Sequence, residues 1–507
     1  MMKNLIKSLR EPFTKQQMIP LLNMSNDVRQ RLDNQISHFP TEEDIQEISN
    51  TYSINPAHLY VIDKTMPCYC YYDFPVYINL DVLSKEYFEM FDVKKKIDVI
   101  KEESARAWKD KNYSRIFVFT DEQAKILLLN EMYWKVQNED KFDLFQDVYT
   151  SLDYGHTLVD PEIVRNVWQH QPKEYKKELR DHLDELCSED LMTIYRGEGG
   201  DSTPYSESMS WTTSLNVACF FATRIRSDLN AKVYQAKVLK SDVLAYFSHR
   251  NENEVIVFPE KLMDIQEVPM TLLGDEWEVL QREGYMDEYF LYKNTFIKPE
   301  HYKNPEGIHG IPHVKRVLFH AITISRALGL SSRDRAILAN ASIYHDIGRR
   351  HDAHCTMHGE WSWQQYTREI AYEYPMLEIN SVDKRKRDEE SGYEIHKLSS
   401  QEVGIVRLLI EYHCKSDEEC REALMRMHHF EYHCKSDEEC REALMRMHHL
   451  RQERERAWML YRIFKDCDGL DRVRLPQNEL DVKYFRTDEA VRRLVFAYQV
   501  QNNSSVL

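Results

Sequence analysis

The sequence predicts a multidomain α+β chain: a mixed N-terminal region, a small α+β domain in the middle, and an all-α C-terminal domain. Three observations carry this expectation. At roughly 100–200 residues per domain, 507 residues correspond to about three domains. Residues 300–500 read as helix after helix, whereas residues 151–275 pass from helix to short strands. Fifteen of the 21 histidines fall between His301 and His449, where a proportional share is about six.

Composition narrows the function classes. Hydrophobic residues make up 42% and charged residues 30%, the profile of a chain that builds real cores. The net charge of -17 argues against broad nucleic-acid binding, which needs clustered Lys and Arg to neutralise phosphates. No stretch approaches the ~20 apolar residues of a membrane helix. Met1 to Arg10 has cationic residues but no apolar run of the signal-peptide kind. The ten cysteines follow no regular framework, as expected of reduced thiols in a cytoplasm. Export by a signal-less route stays open.

In chain order, residues 1–150 mix strand-like runs (Tyr71 to Leu80, Ser114 to Phe119) with a helical one (Glu122 to Lys135). They carry no defensible chemistry and are left unassigned, with target binding as their expected role. Residues 151–275 form the middle domain, 276–299 a connecting segment with a helix over Glu276 to Glu283, and 300–500 the helical domain. With no Gly/Ser linker between them, the last two domains are expected to touch.

Within the helical domain, the first helix spans Ile311 to Leu328, with Pro312 in its first turn and Gly329 as its stop. A second runs from Ser332 to Tyr344 into His345-Asp346-Ile347-Gly348. A third opens on the capping box Ser399-Ser400-Gln401-Glu402 and leads to His413. A fourth, Glu453 to Lys465, delivers Asp466-Cys467-Asp468-Gly469-Leu470-Asp471. Glu411–His429 recurs unchanged at Glu431–His449, a 20-residue tandem duplication of about 5.6 helical turns. The second copy is expected to be an exposed loop or protruding hairpin. His413 keeps the helix upstream of the motif and His433 keeps the spacing to Asp468; His413 is preferred.

The order His313, His345-Asp346, Asp468 resembles the ligand pattern of the HD superfamily of metal-dependent phosphohydrolases. The segments HGIPHVKRV, YHDIGRRHDAHCTMHGEWS, LLIEYHCKSD and DCDGLDRVRL extend the resemblance over about 180 residues. It implies that His313, His345, Asp346 and Asp468 hold a first divalent ion. His358 and His413 would serve a second, with Asp346 bridging the two. Asp466 and Asp471 compete with Asp468, which the family pattern favours. Arg349 and Arg472 would grip the substrate phosphate. Imidazole and carboxylate ligands suit Fe, Mn, Ni or Zn, and Mg is retained as a candidate. The implied substrate is a small phosphorylated molecule.

In the middle domain, Met192–Gly197 reads as a strand ending in Arg196-Gly197. Ser210-Trp211-Thr212-Thr213-Ser214 is a second strand, and a third, His249 to Val257, carries Glu252-x-Glu254 at its head. Alternation would put both glutamates on one face. This order resembles the arginine–serine–glutamate class of ADP-ribosyltransferases, a small α+β fold on a split sheet. The resemblance implies NAD as substrate, held by Arg196 with Gly197 and Ser210. Glu254 would stabilise the cationic ribose and Glu252 would activate the acceptor, a protein. Thr212-Thr213-Ser214 is the other register of the serine motif, and Ser210 is preferred. The chain is therefore expected to be bifunctional. Two alternatives are a transferase regulated by a nucleotide-sensing HD domain, and a hydrolase carrying a silent recognition domain.

Overall fold

The computed structural model describes residues 12–504, apart from 23, 34–35, 37–38, 153–154, 201, 225–229, 249–250, 372–376, 380–394, 427–436 and 477–479. Side chains at 157, 377–379, 395–396 and 437–449 are likewise outside the description. The chain is mixed α+β and divides into two compact units, Met1–Asp190 and Leu191–Leu507. Among the described residues, no helix is long and apolar enough to cross a membrane.

The first unit contains an antiparallel sheet in the order β1 (Met18–Pro20), β2 (Leu59–Ile62), β3 (Cys68–Asp73), β4 (Val76–Leu80). Alternation along β3 sends Tyr69 and Tyr71 to one face and Cys70 and Tyr72 to the other, and all four are buried. Tyr69 and Tyr71 pack with Ile45 and Ile48 of α1 (Glu42–Tyr52) and with Ile97 and Ile100 of α2 (Val93–Lys109). The run Tyr71 to Leu80 is thus the β3–β4 hairpin. The expected strand at Ser114 to Phe119 is instead a short helix, α3 (Ser114–Val118). A strand would put Ile116 and Val118 on one face. Here Ile116 and Phe117 are buried as neighbours on a helical turn while Val118 is 77% exposed. Tertiary packing overrides the β-propensity of this apolar run. The helical run expected from Glu122 holds as a 3-10 turn followed by α4 (Lys125–Met132).

The second unit opens with a six-stranded sheet in the order β10-β7-β5-β6-β9-β8. Its strands are β5 (Leu191–Glu198), β6 (Ser210–Thr212), β7 (Lys232–Leu239), β8 (Ala245–Phe247), β9 (Glu254–Ile256) and β10 (Met263–Glu267). β5 pairs with β7 along its whole length but meets β6 through Tyr195 and Thr212, so the sheet is nearly parted at that seam. Helix α5 (Leu215–Thr223) lies against β5. A Cβ on Gly197 would fall 1.8 Å from the Ala218 carbonyl oxygen, so only glycine permits this approach.

The segment expected as a connector, 276–299, is built into the core. Helices α6 (Leu273–Glu283) and α7 (Tyr285–Phe296) bury Leu280, Met286, Tyr289, Tyr292 and Phe296. Their apolar faces join a single core with Ala218 and Cys219 of α5 and with Leu318 and Phe319 of α8 (Ile311–Ala327). After α8 come α9 (Ser332–Tyr344), α10 (His358–Gln365), α11 (Ser400–Tyr412), α12 (Asp417–Arg426), α13 (Asp437–Leu470) and α14 (Leu494–Asn502). The last helix returns to the sheet domain: the Tyr498 hydroxyl donates to Asn216 Oδ1 (3.0 Å), and Asn502 Nδ2 to the Thr223 carbonyl (3.0 Å). The sheet and the helical array therefore meet through a shared core.

Of the loop and the hairpin expected for the second copy, the duplicated segment excludes the loop. Residues 437–449 of the second copy are the N-terminal part of the 34-residue α13, not a loop. The remainder of that copy, His433 included, lies outside the described residues.

A candidate metal centre and a candidate transferase site

Four helix ends converge in the helical domain, each carrying a histidine. His313 lies in the first turn of α8, His358 opens α10, and His345 and His413 cap the C-termini of α9 and α11. Carbonyls in the last turn of a helix lack intrahelical donors. His345 Nδ1 meets the Ser342 carbonyl (2.8 Å) and His413 Nδ1 the Ile410 carbonyl (2.7 Å), each three residues back. His358 Nδ1 meets the Cys355 carbonyl (2.6 Å), and His313 Nδ1 the Asp471 carboxylate (2.7 Å). Carbonyls and carboxylates only accept, so each Nδ1 carries the proton and each Nε2 presents a lone pair. Acceptors behind ligating imidazoles are the usual means of fixing tautomer and ring orientation.

Those Nε2 atoms point at one another. His313 and His345 approach to 3.0 Å, and His358 and His413 to 2.7 Å. Two lone pairs at that separation repel unless a cation or a shared proton lies between them. Two nitrogens bound to one ion at about 2.0–2.1 Å sit about 3.0–3.4 Å apart.

Asp346 lies between the pairs. Its Oδ2 faces His309 Nδ1 (3.2 Å), His313 Nε2 (3.6 Å) and His345 Nε2 (3.7 Å). Its Oδ1 faces His358 Nε2 (3.2 Å) and His413 Nε2 (3.5 Å). Asp468 Oδ1 completes the first set, 3.4 Å from His313 and 3.9 Å from His345. Its side chain is 30% exposed, against 2% or less for His313, His345 and Asp346, so it marks the open side of the cluster. These buried groups can hold a metal ion, in the sets His313/His345/Asp468, His309/His313/Asp346, His345/Asp346/His413 and His358/His413/Cys414.

Electrostatics favours the ligating forms. Burial opposes ionisation of Asp346, but the imidazoles around it, His345 first and then His309, His358 and His413, hold it well below the usual carboxylate range. Burial likewise raises Asp468, and the imidazoles of His313, His345 and His413 outweigh it, bringing it to about 2. Burial lowers His413 to about 4, which keeps it neutral.

The structure thus brings together His313, His345, Asp346, His358, His413 and Asp468. The competing aspartates do other work. Asp471 is fully buried, orients His313 and pairs with Arg316. Asp466 accepts from the Arg486 backbone (2.9 Å) and the Thr487 hydroxyl (2.7 Å). Arg349 stays close, its Nε 3.5 Å from Asp346 Oδ2 and its Nη1 held by the carbonyls of His351 and Ala353. Arg472 is exposed on the following turn, and it is Arg474 that reaches Asp471 Oδ2 (3.1 Å). Sequence reasoning missed His309, Arg316 and Cys414 as members of the cluster. For the first two the signal was there: four residues before His313 and three after it.

α10 and α11 must touch for His358 to meet His413. A Cβ on Gly359 would lie 2.4 Å from the Ile410 carbonyl oxygen, so this glycine sets the approach of the two helices. His413 belongs to the first copy of the duplication and is in place. Deleting residues 431–450 is therefore expected to leave metal content unchanged, as read by elemental analysis beside the full chain. A deletion that loses metal would show that the second copy supplies a ligand.

In the sheet, three strands bring Arg196, Ser210 and Glu254 together. The Ser210 hydroxyl donates to Glu254 Oε1 (2.5 Å) across the β6–β9 pair. Arg196 donates from Nη1 to the Ser210 carbonyl (2.8 Å) and from Nη2 to the Thr203 carbonyl (2.6 Å), which ties the loop before β6 to β5. Thr212 Oγ1 donates to the Glu252 carbonyl (2.6 Å), and Ser214 Oγ caps α5 by accepting from Val217 N. Ser210, Thr212 and Ser214 therefore each have a distinct task.

Two expectations need correction. β9 begins at Glu254, and Glu252 lies between Asn251 (φ 59°) and Asn253 (φ 47°), so strand alternation does not govern the two glutamates. His249 and Arg250, expected to open this strand, lie outside the described residues. Gly197 faces α5, where its missing Cβ admits the helix, rather than the side occupied by Arg196.

Compared with protein-family models, curated proteins and solved structures, the chain has no match in any of the three.

Proposed function

We propose that the chain is a metal-dependent phosphohydrolase of the HD kind, acting on a small phosphorylated substrate. The observation that carries this reading is Asp346, with two imidazole Nε2 atoms facing each of its carboxylate oxygens. Such a donor set fits one or two divalent ions, with His313, His345, Asp346 and Asp468 around the first and Asp346, His358 and His413 around the second. A bound divalent ion would neutralise charge on the phosphoryl oxygens and lower the pKa of water towards 7. The protein's own share is orientation: the Nδ1 partners fix every ring before any ion arrives. Arg349, pinned beside Asp346, supplies a planar cationic fork suited to a phosphoryl group. Chelation of the purified chain is expected to abolish hydrolysis of a phosphodiester such as bis(p-nitrophenyl) phosphate, and Mn or Zn to restore it. Activity that survives chelation would sink the reading.

A second activity, transfer of ADP-ribose from NAD to a protein acceptor, is proposed for the sheet. The hydrogen bond from Ser210 to Glu254 favours it, because it fixes a carboxylate at the strand edge next to the Arg196 seam. In this reading Glu254 faces the cationic ribose, Ser210 holds Glu254 and Arg196 orders the loop beneath the diphosphate. Glu252 stands two residues before Glu254 in the chain as the group to activate the acceptor.

A further inference from the structure

A cleft of about 250 Å³ opens beside the metal-ligand cluster, with Lys303, Arg349, Arg350, Arg368 and Trp361 in its wall. Its floor includes Ile347 and Gly348, the residues that follow Asp346 in the chain, and Arg349 belongs to both places. Four cations face a single carboxylate, Glu300, in a chain whose net charge is -17. That local reversal of sign marks a place for an anion. Two of the cations are held in position. The Arg350 guanidinium stacks on Trp361 at 4.1 Å, and Arg349 is held by two backbone carbonyls. Stacking occupies the face of a guanidinium and leaves its N–H groups at the edge for an oxyanion. Arg368 and Lys303 are exposed, and among the described residues the carboxylate paired with Arg368, Glu369, is 3.9 Å away on the surface, a weak competitor.

We propose that this cleft holds the second phosphoryl group of a diphosphate-bearing substrate whose first phosphoryl group lies at the metal-ligand cluster. The proposal rests on the phosphohydrolase reading and narrows its substrate class. A monoester has one phosphoryl group, which the cluster and Arg349 accommodate, and it makes no use of Lys303, Arg350 and Arg368. Size sets the other limit. The cleft is smaller than the roughly 300–1,000 Å³ of sites that enclose a whole drug-sized ligand. It takes a phosphoryl group, and the rest of the substrate extends outward.

The test compares inorganic phosphate with imidodiphosphate, a diphosphate that is not readily hydrolysed, by calorimetric titration of the metal-loaded full chain. Wild type is expected to bind imidodiphosphate at least about tenfold tighter than phosphate, as charge-assisted contacts worth about 1.4 kcal/mol or more together would give. The double substitution Lys303→Gln with Arg368→Gln, both at exposed positions, is expected to bring that ratio close to one with metal content unchanged. An unchanged ratio in the variant overturns the proposal even where hydrolysis of a phosphodiester persists. Conversely, if wild type hydrolyses no phosphoester with metal bound while the substitutions still erase the preference, the phosphohydrolase reading fails and the cleft stands as an anion site.

Discussion

Replacing His345 and Asp346 together with alanine is expected to lower phosphoester hydrolysis by about 10³-fold or more. The size follows from what the two groups share. Asp346 faces both halves of the cluster, and His345 faces Asp346 Oδ2 and Asp468. Their loss leaves neither half with a complete donor set. An ion contributes several kcal/mol of charge stabilisation to such a reaction, and each 1.36 kcal/mol is a factor of ten in rate. Asp471→Asn offers a graded comparison. It weakens the acceptor behind His313 without removing a ligand, so metal affinity should fall by only about 10–100-fold. The double variant is measured by steady-state hydrolysis at saturating metal, and Asp471→Asn by titrating metal into the metal-free chain. A double variant that keeps wild-type turnover would show that the cluster is structural.

The second large effect belongs to Glu254. Glu254→Gln keeps an oxygen that accepts the Ser210 hydroxyl, so the β6–β9 pair and the fold should survive. What disappears is the negative charge beside a developing cation. Losing one preorganised electrostatic group costs on the order of 10²–10³-fold. Labelled NAD supplied to the full chain, alone and with cell lysate, reads the transfer. Labelling by the variant at the wild-type rate would mean that the carboxylate takes no part and that the sheet does something else.

The helical domain was the more legible half of the chain, because its signals are local. The stop at Gly329 has the positive φ such a position requires, and the Ser399–Glu402 capping box forms as two reciprocal hydrogen bonds. The histidines were legible for the same reason. His345 and His413 each sit at a helix end that periodicity or a cap locates, and the helix end then fixes the ring through a carbonyl three residues back. Residues that act across long separations were not legible. Asp471 reaches His313 over 158 positions, and nothing nearby distinguishes it from Asp468 as a ligand. The short run at Ser114 has the composition of a strand and the burial of a helical turn, a choice made by its neighbours. The 276–299 segment looked like a connector because its apolar residues are aromatic and scattered among charges. Around a curved core those aromatics, Tyr289, Tyr292 and Phe296, are what the interface with α8 needs. Glu252 was placed by a period of two that the positive φ values on either side of it interrupt.

The central claim, that the cluster around Asp346 is a metal centre, is tested most directly by counting metal in the purified full chain by elemental analysis, beside His358→Ala/His413→Ala and His345→Ala/Asp346→Ala. The account predicts two divalent transition-metal ions per chain in the wild type, about one when the imidazoles facing Asp346 Oδ1 are removed, and none when His345 and Asp346 are removed. Equal metal content in all three proteins, or none in the wild type after purification in metal-supplemented buffer, would contradict it.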